Sequence, residues 1–328
     1  MTTKVSILVP VYKASKYMER CARSLFEQTF QDIEYIFVDD ASPDNSIEIL
    51  RNILSKYPNR QKQVKIIVNQ ENKGVGVSRN IAIDNSSGEY IAFIDSDDYI
   101  ELNSIEELFN FSILENADIV VFNMEIQYHD HSEIISDSVS ADKDENLLNI
   151  LTEKRSHNLC NKFVKSNLYK MKECRIPNGL NYQEDFYVYV RLVYFAEIIR
   201  KMDKVFYHYD FRNTESLTKK MGKMHFENTV ILWNSFDQFL TEKKLFEKYK
   251  LYMDYTKIHR KIRLMIDTND FKLRKLYANI FFEEEKRCSH LFSKGERRFL
   301  WFLRHRLFIT FYIFQKAIIF KNKITKNA

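Results

Sequence analysis

Asp95, Asp97 and Asp98 stand within four residues at the end of an apolar run, in the segment EYIAFIDSDDY that closes at Tyr99. Hard divalent ions such as Mg²⁺ and Mn²⁺ take oxygen ligands and often share them with the phosphates of a substrate, so this spacing suits a metal-assisted phosphate site. The same residue types also make solvated turns. A second acidic pair, Asp39 and Asp40, ends the apolar run IEYIFV, and a third, Glu184 and Asp185, opens the helical pattern of NYQEDFYVYVRLVYF. Acids in the first turn of a helix are favoured by its dipole, so the third pair reads either as a helix cap or as a general base held near a helix N-terminus.

The elements that must position these acids can be read from periodicity. VSILVP, from Val5 to Pro10, is a short apolar strand, and Tyr17, Cys21, Ala22, Leu25 and Phe26 then recur at helical spacing. IEYIFV is a second strand, after which ASPDNS supplies turn chemistry and a helix cap before Ile47, Leu50 and Leu54. VKIIV, from Val64 to Val68, is a third, and NQENKGVGVSRN leads through a short helix to the strand that carries the acids. This β-α alternation predicts an α/β fold whose mostly parallel sheet is covered on both faces. Acids at the carboxyl ends of its strands should share one crevice, where such sheets bind ligands. After about residue 220 the alternation gives way to helical stretches rich in Phe, Tyr, Leu and Lys. The reading is therefore a catalytic domain over 1–220 and a helical region over 221–328.

In content and order, VSILVPVYK, EYIFVDDASPDNS, NKGVGVSRNIAI, GEYIAFIDSDDY and NYQEDFYVYVRL resemble the family 2 glycosyltransferases of the GT-A fold, over about residues 4 to 218. The resemblance implies a Rossmann-like sheet and an inverting, metal-dependent transfer. A sugar would pass from a nucleotide-diphosphate donor, a UDP-sugar foremost, to a hydroxyl of a glycan or lipid-linked acceptor in bacterial surface-polysaccharide synthesis. It also implies roles. The first block, with Pro10 and Tyr12, holds the nucleotide; Asp39, and less directly Asp40, meet the base; Arg79 is a basic contact to the nucleotide. Asp95, with Ser96 beside it, meets the ribose or sugar, and Asp97 binds Mn²⁺ or Mg²⁺. Lys162, in NLCNKFVKSNLYK, reaches the diphosphate or the acceptor side. In VFYHYDFRNTESLT, His208 meets diphosphate or metal and Arg212 the diphosphate. Asp185 is the general base. The family usually has Asn where this chain has Lys13, a departure that touches one loop contact.

Each role has a chemical reason and a structural alternative. A metal at Asp97 would stabilise the charge growing on the leaving diphosphate. A carboxylate at Asp39 can accept the imide N–H of uracil, or merely cap the following helix. Asp185 can take the acceptor proton, and one base opposite the leaving group gives inversion. Arg79 and Lys162 also read as solvated charges, His208 as a packed residue, and Gly74 and Gly76 as ordinary turn glycines.

The remaining composition bounds the reading. Six glycines and four prolines in 328 residues argue against linkers and low complexity. Cys21, Cys160, Cys174 and Cys288 have neither zinc-site nor disulfide spacing, which fits a reducing compartment. The N-terminus runs into the first strand without a signal peptide, which would place the catalytic face among cytosolic nucleotide sugars. From Lys294 onward nine Lys and Arg face one acid, Glu296, although the chain as a whole carries +5. The segment from Phe299 to Phe320 mixes aromatics with Arg304, Arg306 and Lys316, which suits a helix lying at the inner face of the plasma membrane better than one crossing it. The alternative is a helix packed on the catalytic domain or in a homo-oligomer. No nucleic-acid motif accompanies the charge. Two other classes stand beside the transferase. A phosphatase with an aspartyl nucleophile commonly has Thr or Val where Tyr99 stands, and a non-catalytic nucleotide-sugar or membrane scaffold is disfavoured by the presence of Asp185.

Overall fold

The computed structural model describes residues 3–212, 222–268, 270–305 and 307. The chain divides into two compact units, Met1–Ser216 and Leu217–Ala328.

The first unit begins with the alternation β1 (Val5–Val11), α1 (Met18–Phe26), β2 (Ile33–Asp39), α2 (Ser46–Leu54), β3 (Val64–Val68), α3 (Val75–Asp84) and β4 (Tyr90–Phe93). It continues through β5 (Tyr99–Ile100), α4 (Ser104–Leu114), β6 (Ile119–Gln127), β7 (Ser132–Ile135), α5 (Lys143–Leu151), β8 (Lys162–Lys165), α6 (Ser166–Lys170), α7 (Glu184–Phe195) and β9 (Ile199–Asp210). The strands form one sheet in the order β3-β2-β1-β4-β8-β6-β9-β5, with β7 paired to β6. Neighbours from β3 to β4 run parallel, as the alternation predicts. Beyond β4 the sheet is mixed: β8 lies antiparallel to both β4 and β6, while β6 and β9 are parallel.

Apolar runs make the central strands because both sheet faces are covered. Val5, Ile7, Leu8 and Val9 of β1 have no exposed surface, and each such side chain contributes roughly 1.5–3 kcal/mol. Met18, Cys21, Ala22, Leu25 and Phe26 form the buried stripe of α1; Tyr17, expected in it, stands half-buried at the N-cap and Met18 takes its place. Helix α7 is buried almost all round, from Phe186 to Val193, as expected of a helix enclosed within a domain.

Two glycines bring the N-terminus of α3 against the segment that precedes α7. Gly74 has φ +88°, and a Cβ there would lie 2.1 Å from Asn181 Oδ1. At Gly76 a Cβ would lie 2.6 Å from the Leu180 carbonyl oxygen and 2.7 Å from Ile176 Cγ2. These glycines serve a close approach of two backbones.

The second unit comprises α8 (Lys223–Glu242), α9 (Phe246–Asp267), α10 (Phe271–Ala278), α11 (Phe282–Cys288) and α12 (Lys294–Arg304). Its core includes Ile258, Met265, Tyr277, Cys288, Phe299, Leu300 and Leu303. Two buried acids are paired in it: Lys261 and Arg304 both donate to Glu285, at 3.3 and 2.7 Å, and Arg287 donates to both oxygens of Asp254. Ser293 and Glu296 form a reciprocal cap at the start of α12. Of the aromatic segment read as a membrane helix, residue 306 and residues 308–320 lie outside the described residues. Within the described part, Phe299, Leu300 and Leu303 face the unit's own core, while Lys294, Arg297, Arg298, Trp301 and His305 are exposed. Among the described residues no helix is long and apolar enough to cross a membrane.

Replacing Gly76 by Ala forces the 176–181 segment away from α3 and should destabilise the protein by about 1–3 kcal/mol, the usual cost of overpacking. A lower urea midpoint at unchanged slope is expected. An unchanged midpoint would show that this contact yields freely.

Candidate active site

Parallel pairing sets Val11 beside Asp39, and Leu8 beside Phe93, so the chain leaves β1, β2 and β4 at one edge of the sheet. The loops after β1 and β2 are pinned together by Asp44, which accepts from Ser15 N at 2.9 Å, Ser42 Oγ at 2.7 Å and Ser46 N at 3.2 Å. Against its burial, these donors hold the Asp44 carboxyl well below its ordinary range. Lys13 N donates to Ser42 Oγ at 2.8 Å. Lys13 and Ala41 adopt left-handed conformations, with φ 52° and 53°. At this edge Pro10 ends the run within β1, and the Tyr12 ring is 44% exposed.

The two acids that end β2 part company. Asp40 is spent on structure: it accepts from Asn69 Nδ2, Lys73 N and Gly74 N, each at 2.8 Å, and so holds the glycine loop. Asp40 is buried, 3% exposed, and is bound to the glycine loop, where the sequence reading placed it at the base. Asp39 accepts only Ser42 N, at 3.0 Å, through Oδ1. Burial raises its pKa.

The acid turn after β4 is likewise divided. Asp98 is fully buried and accepts from Tyr207 Oη at 2.5 Å and Asp210 N at 2.8 Å. Burial, reinforced by Asp97 and Asp95, raises its pKa strongly. Asp98 therefore anchors the turn to β9, while Asp95 and Asp97 remain partly exposed and Ser96 is buried between them. Arg20, on α1, donates to the Asp97 carbonyl oxygen at 2.7 Å and to Asp210 Oδ2 at 2.8 Å, with its guanidinium 4.6 Å from the Tyr99 ring centroid.

Arg79, on α3, joins this turn to the acids of α7. It is buried and donates to Asp95 Oδ1 at 3.1 Å, and to Glu184 Oε1 and Asp185 Oδ1 at 2.5 Å each. Asp185 Oδ2 accepts Leu159 N at 3.1 Å, so the NLCNK segment reaches the site through its backbone. Burial pushes the Asp185 carboxyl up to about 7; Arg79 opposes the rise, and Glu184 and Asp95 add to it. Gln183, which opens α7, is left-handed, with φ 64°. The carboxyl edge of the sheet thus carries Asp39, Asp95 and Asp97, and Arg79 ties Asp185 to Asp95.

Several expected contacts are redirected. Arg79, expected at the nucleotide, is turned on three protein acids. Lys162 is only 1% exposed, and its ammonium lies 2.5 Å from Asn161 Oδ1, 3.8 Å from Asp137 and 4.8 Å from the Tyr189 ring centroid. Burial lowers its pKa to about 8. It is enclosed in the protein and does not meet a diphosphate or an acceptor. His208 has Glu125 at 2.8 Å on Nδ1 and Glu101 at 2.6 Å on Nε2, so neither nitrogen turns a lone pair towards a metal. Arg212 is bidentate on Asp210, at 2.7 Å twice, yet its side chain is 40% exposed. The sequence reading missed Arg20, Tyr207 and Asp210. The YDFR spacing of Asp210 and Arg212 was a usable signal, whereas nothing local marks Arg20.

Among the described residues no group of three or more His, Cys, Asp or Glu side chains converges as a metal site. The donor set still fits a hard cation, because Asp97 offers a partly exposed carboxylate, and Mg²⁺-type ions often take only one or two protein carboxylates and fill the rest with phosphate and water.

Residues 6–164 match the model of Glycosyl transferase family 2. EpsH of Bacillus subtilis, which bears a glycosyltransferase name, is 29% identical over 287 residues, covering 85% of this chain and 81% of EpsH. The poly(ribitol-phosphate) beta-glucosyltransferase of Bacillus spizizenii is 41% identical over 121 residues, covering 36% of this chain and 18% of that enzyme. In seven curated relatives other than EpsH the match covers 14–42% of their length. Among solved structures, S. aureus TarS aligns with TM-score 0.66 at 19% identity, over 96% of this chain and 55% of TarS. TarS 1-349 in complex with UDP-GlcNAc aligns with TM-score 0.60 at 20% identity, over 90% of each chain. This likeness is one of fold: α/β of the GT-A type, followed by a helical region. The family match, which spans the strands that carry Asp39 and Asp95, identifies residues 6–164 as a segment of glycosyltransferase family 2.

Proposed function

We propose that the protein transfers a sugar from a UDP-sugar to a hydroxyl of a glycan or lipid-linked acceptor in surface-polysaccharide synthesis, with inversion at the anomeric carbon. The observation that carries this reading is the Arg79 clamp, which sets the donor-side acid Asp95 and the acid Asp185 on one guanidinium. The UDP-GlcNAc complex of TarS 1-349 supports a uridine donor.

In this reading Asp39 accepts the imide N–H of uracil, with Pro10 and Tyr12 forming the wall beside it. Asp95 and Ser96 lie along the ribose, and Arg212 exchanges Asp210 for a donor phosphate. Asp97 would hold Mn²⁺ or Mg²⁺, which supplies positive charge for the leaving diphosphate. Asp185 takes the proton of the acceptor hydroxyl as its oxygen bonds to the anomeric carbon, and the electron pair of the broken bond leaves with the diphosphate. Base and leaving group stand on opposite faces, so the product is inverted. The donor is met on the cytoplasmic side, at the inner face of the plasma membrane. Lys294, Arg297 and Arg298 with Trp301 on the exposed face of α12 support a peripheral, electrostatic contact there.

Asp97→Ala should abolish transfer and the Mn²⁺-dependent part of UDP binding, measured by thermal stabilisation with and without the metal. Undiminished Mn²⁺-dependent binding would remove Asp97 from this role. Asp185→Asn should keep UDP binding and lose turnover by about 10²-fold or more. Because the base must be ionised, kcat/KM should be full above pH 7 and fall about tenfold per unit as pH drops below the Asp185 pKa near 7. A flat profile between pH 5 and 8, which spans the range where general bases are normally poised, would move the base elsewhere. Replacing Lys294, Arg297 and Arg298 together by Gln leaves the core face of α12 intact. It should weaken sedimentation with phosphatidylglycerol vesicles roughly 10²-fold, at about 1 kcal/mol for each charge. Equal sedimentation of both proteins would end the membrane reading.

A further inference from the structure

Beside the acid turn, one group of aromatic side chains has no part in the donor chemistry. β6 and β9 run parallel to their ends, with Gln127 beside Asp210. Phe211 N donates to the Gln127 carbonyl at 3.1 Å, and Gln127 Nε2 donates to Tyr99 Oη at 2.7 Å. Since Asp210 N is bonded to Asp98, the chain just beyond β9 is fastened to the turn that carries Asp97. There the Tyr128 ring stacks on His131, with centroids 4.5 Å apart and planes 10° from parallel, and Phe211 lies 4.9 Å from Tyr128.

This strip is preorganised. The turn between β6 and β7 is closed by Tyr128 N donating to the His131 carbonyl at 2.9 Å, and His131 Nδ1 sits 2.7 Å from Asp130 Oδ1. It is also open: Phe211 is 39% exposed and the His131 side chain 52%. Around it stand Asp130 and Glu133, 85% and 55% exposed, and the half-exposed Arg212.

The stack covers one face of the His131 ring and leaves the half-exposed imidazole beside the Phe211 ring, tilted 54° to Tyr128, with two carboxylates at the rim; exposed aromatic surface bordered by carboxylates matches a pyranose. One face of the sugar presents C–H bonds of partial positive charge, which are drawn to the negative face of an aromatic ring. Its equatorial hydroxyls then point outward, where carboxylates accept and guanidinium donates. Rings already fixed in place lose little freedom when a ligand stacks on them. We infer that Tyr128, His131 and Phe211 form a stacking subsite for a pyranose ring of the acceptor glycan. The inference rests on the reading of the chain as a sugar transferase and names the class of acceptor.

The test uses the full chain saturated with UDP and diamagnetic Mg²⁺, which occupies the nucleotide site without relaxing the sugar protons. Saturation-transfer NMR is recorded with chitotriose and with maltotriose at millimolar concentration. Wild-type protein should transfer saturation to sugar ring protons. Tyr128→Leu and Phe211→Leu keep apolar bulk under the hairpin while removing the ring, and each should weaken apparent affinity about two- to tenfold, the worth of one stacking contact. Thermal stabilisation by UDP should be the same in all three proteins. Saturation transfer that is absent from wild type, or unchanged in both variants, overturns the subsite. Failure of UDP to stabilise wild type would instead strike at the transferase reading itself.

Discussion

A single buried guanidinium faces three carboxylates, and the rest of the site is built around that imbalance. Arg79 can neutralise one of Asp95, Glu184 and Asp185, and burying the others uncompensated would cost several kcal/mol each. Part of the answer is protonation: burial moves the Asp185 carboxyl to about 7, so near neutral pH the cluster exchanges a proton readily. A group so poised suits a general base, whose efficiency is greatest near the working pH. The same imbalance makes Arg79 hard to replace, since removing one partner of a buried ion pair costs about 3–5 kcal/mol. The clamp also gives the acid turn after β4 and α7 a common origin, so a displacement of one moves the other.

Holding such a cluster demands loops that do not relax. Lys13, Ala41 and Gln183, none of them glycine, sit in left-handed conformations at three of the loops bordering the crevice. Each such residue costs of order 1–3 kcal/mol and persists only where its surroundings over-determine it. Here the determinants are visible: Asp44 gathers four donors from the loops after β1 and β2, and Asp40 fixes Lys73 and Gly74. The family's usual Asn in place of Lys13 fits this geometry, because Asn tolerates the left-handed region better than a long side chain does. This chain keeps the loop shape by tying Lys13 N to Ser42.

What the sequence revealed was what local pattern encodes. Apolar runs and helical spacing located β1 to β4 and the helices between them, and acids followed the strands at one edge of the sheet. The mixed half of the sheet was illegible because β5 and β8 are two and four residues long and carry no period of their own. Roles within an acidic pair were illegible for a different reason. Asp39 and Asp40, or Asp97 and Asp98, differ in which way the backbone turns each carboxylate, and that is decided by partners far away, such as Tyr207, 109 residues beyond Asp98. Arg79 finds its acids 105 and 106 residues on. Lys162 misled because lysine is almost never fully buried unless it is paired. Its burial is made tolerable by Asn161, Asp137 and the Tyr189 ring.

The second unit shows how composition alone can mistake a helix's allegiance. Residues 294–305 are rich in both aromatic and basic side chains, the mixture that suits a bilayer interface. In α12 the two halves of the mixture separate: Phe299, Leu300 and Leu303 complete the unit's own core, and Arg304 closes on buried Glu285. The side left outside carries Lys294, Arg297, Arg298 and His305 around a half-exposed Trp301. Apolar surface already buried in protein cannot also be buried in lipid. The proposed contact of α12 with a membrane is therefore one of charge, with at most one ring at the headgroup level, and charge at a surface acts only within a Debye length. Such a contact is reversible and weakens with salt. A contact of that kind would let the enzyme visit a lipid-linked acceptor and leave it, which an inserted helix would not.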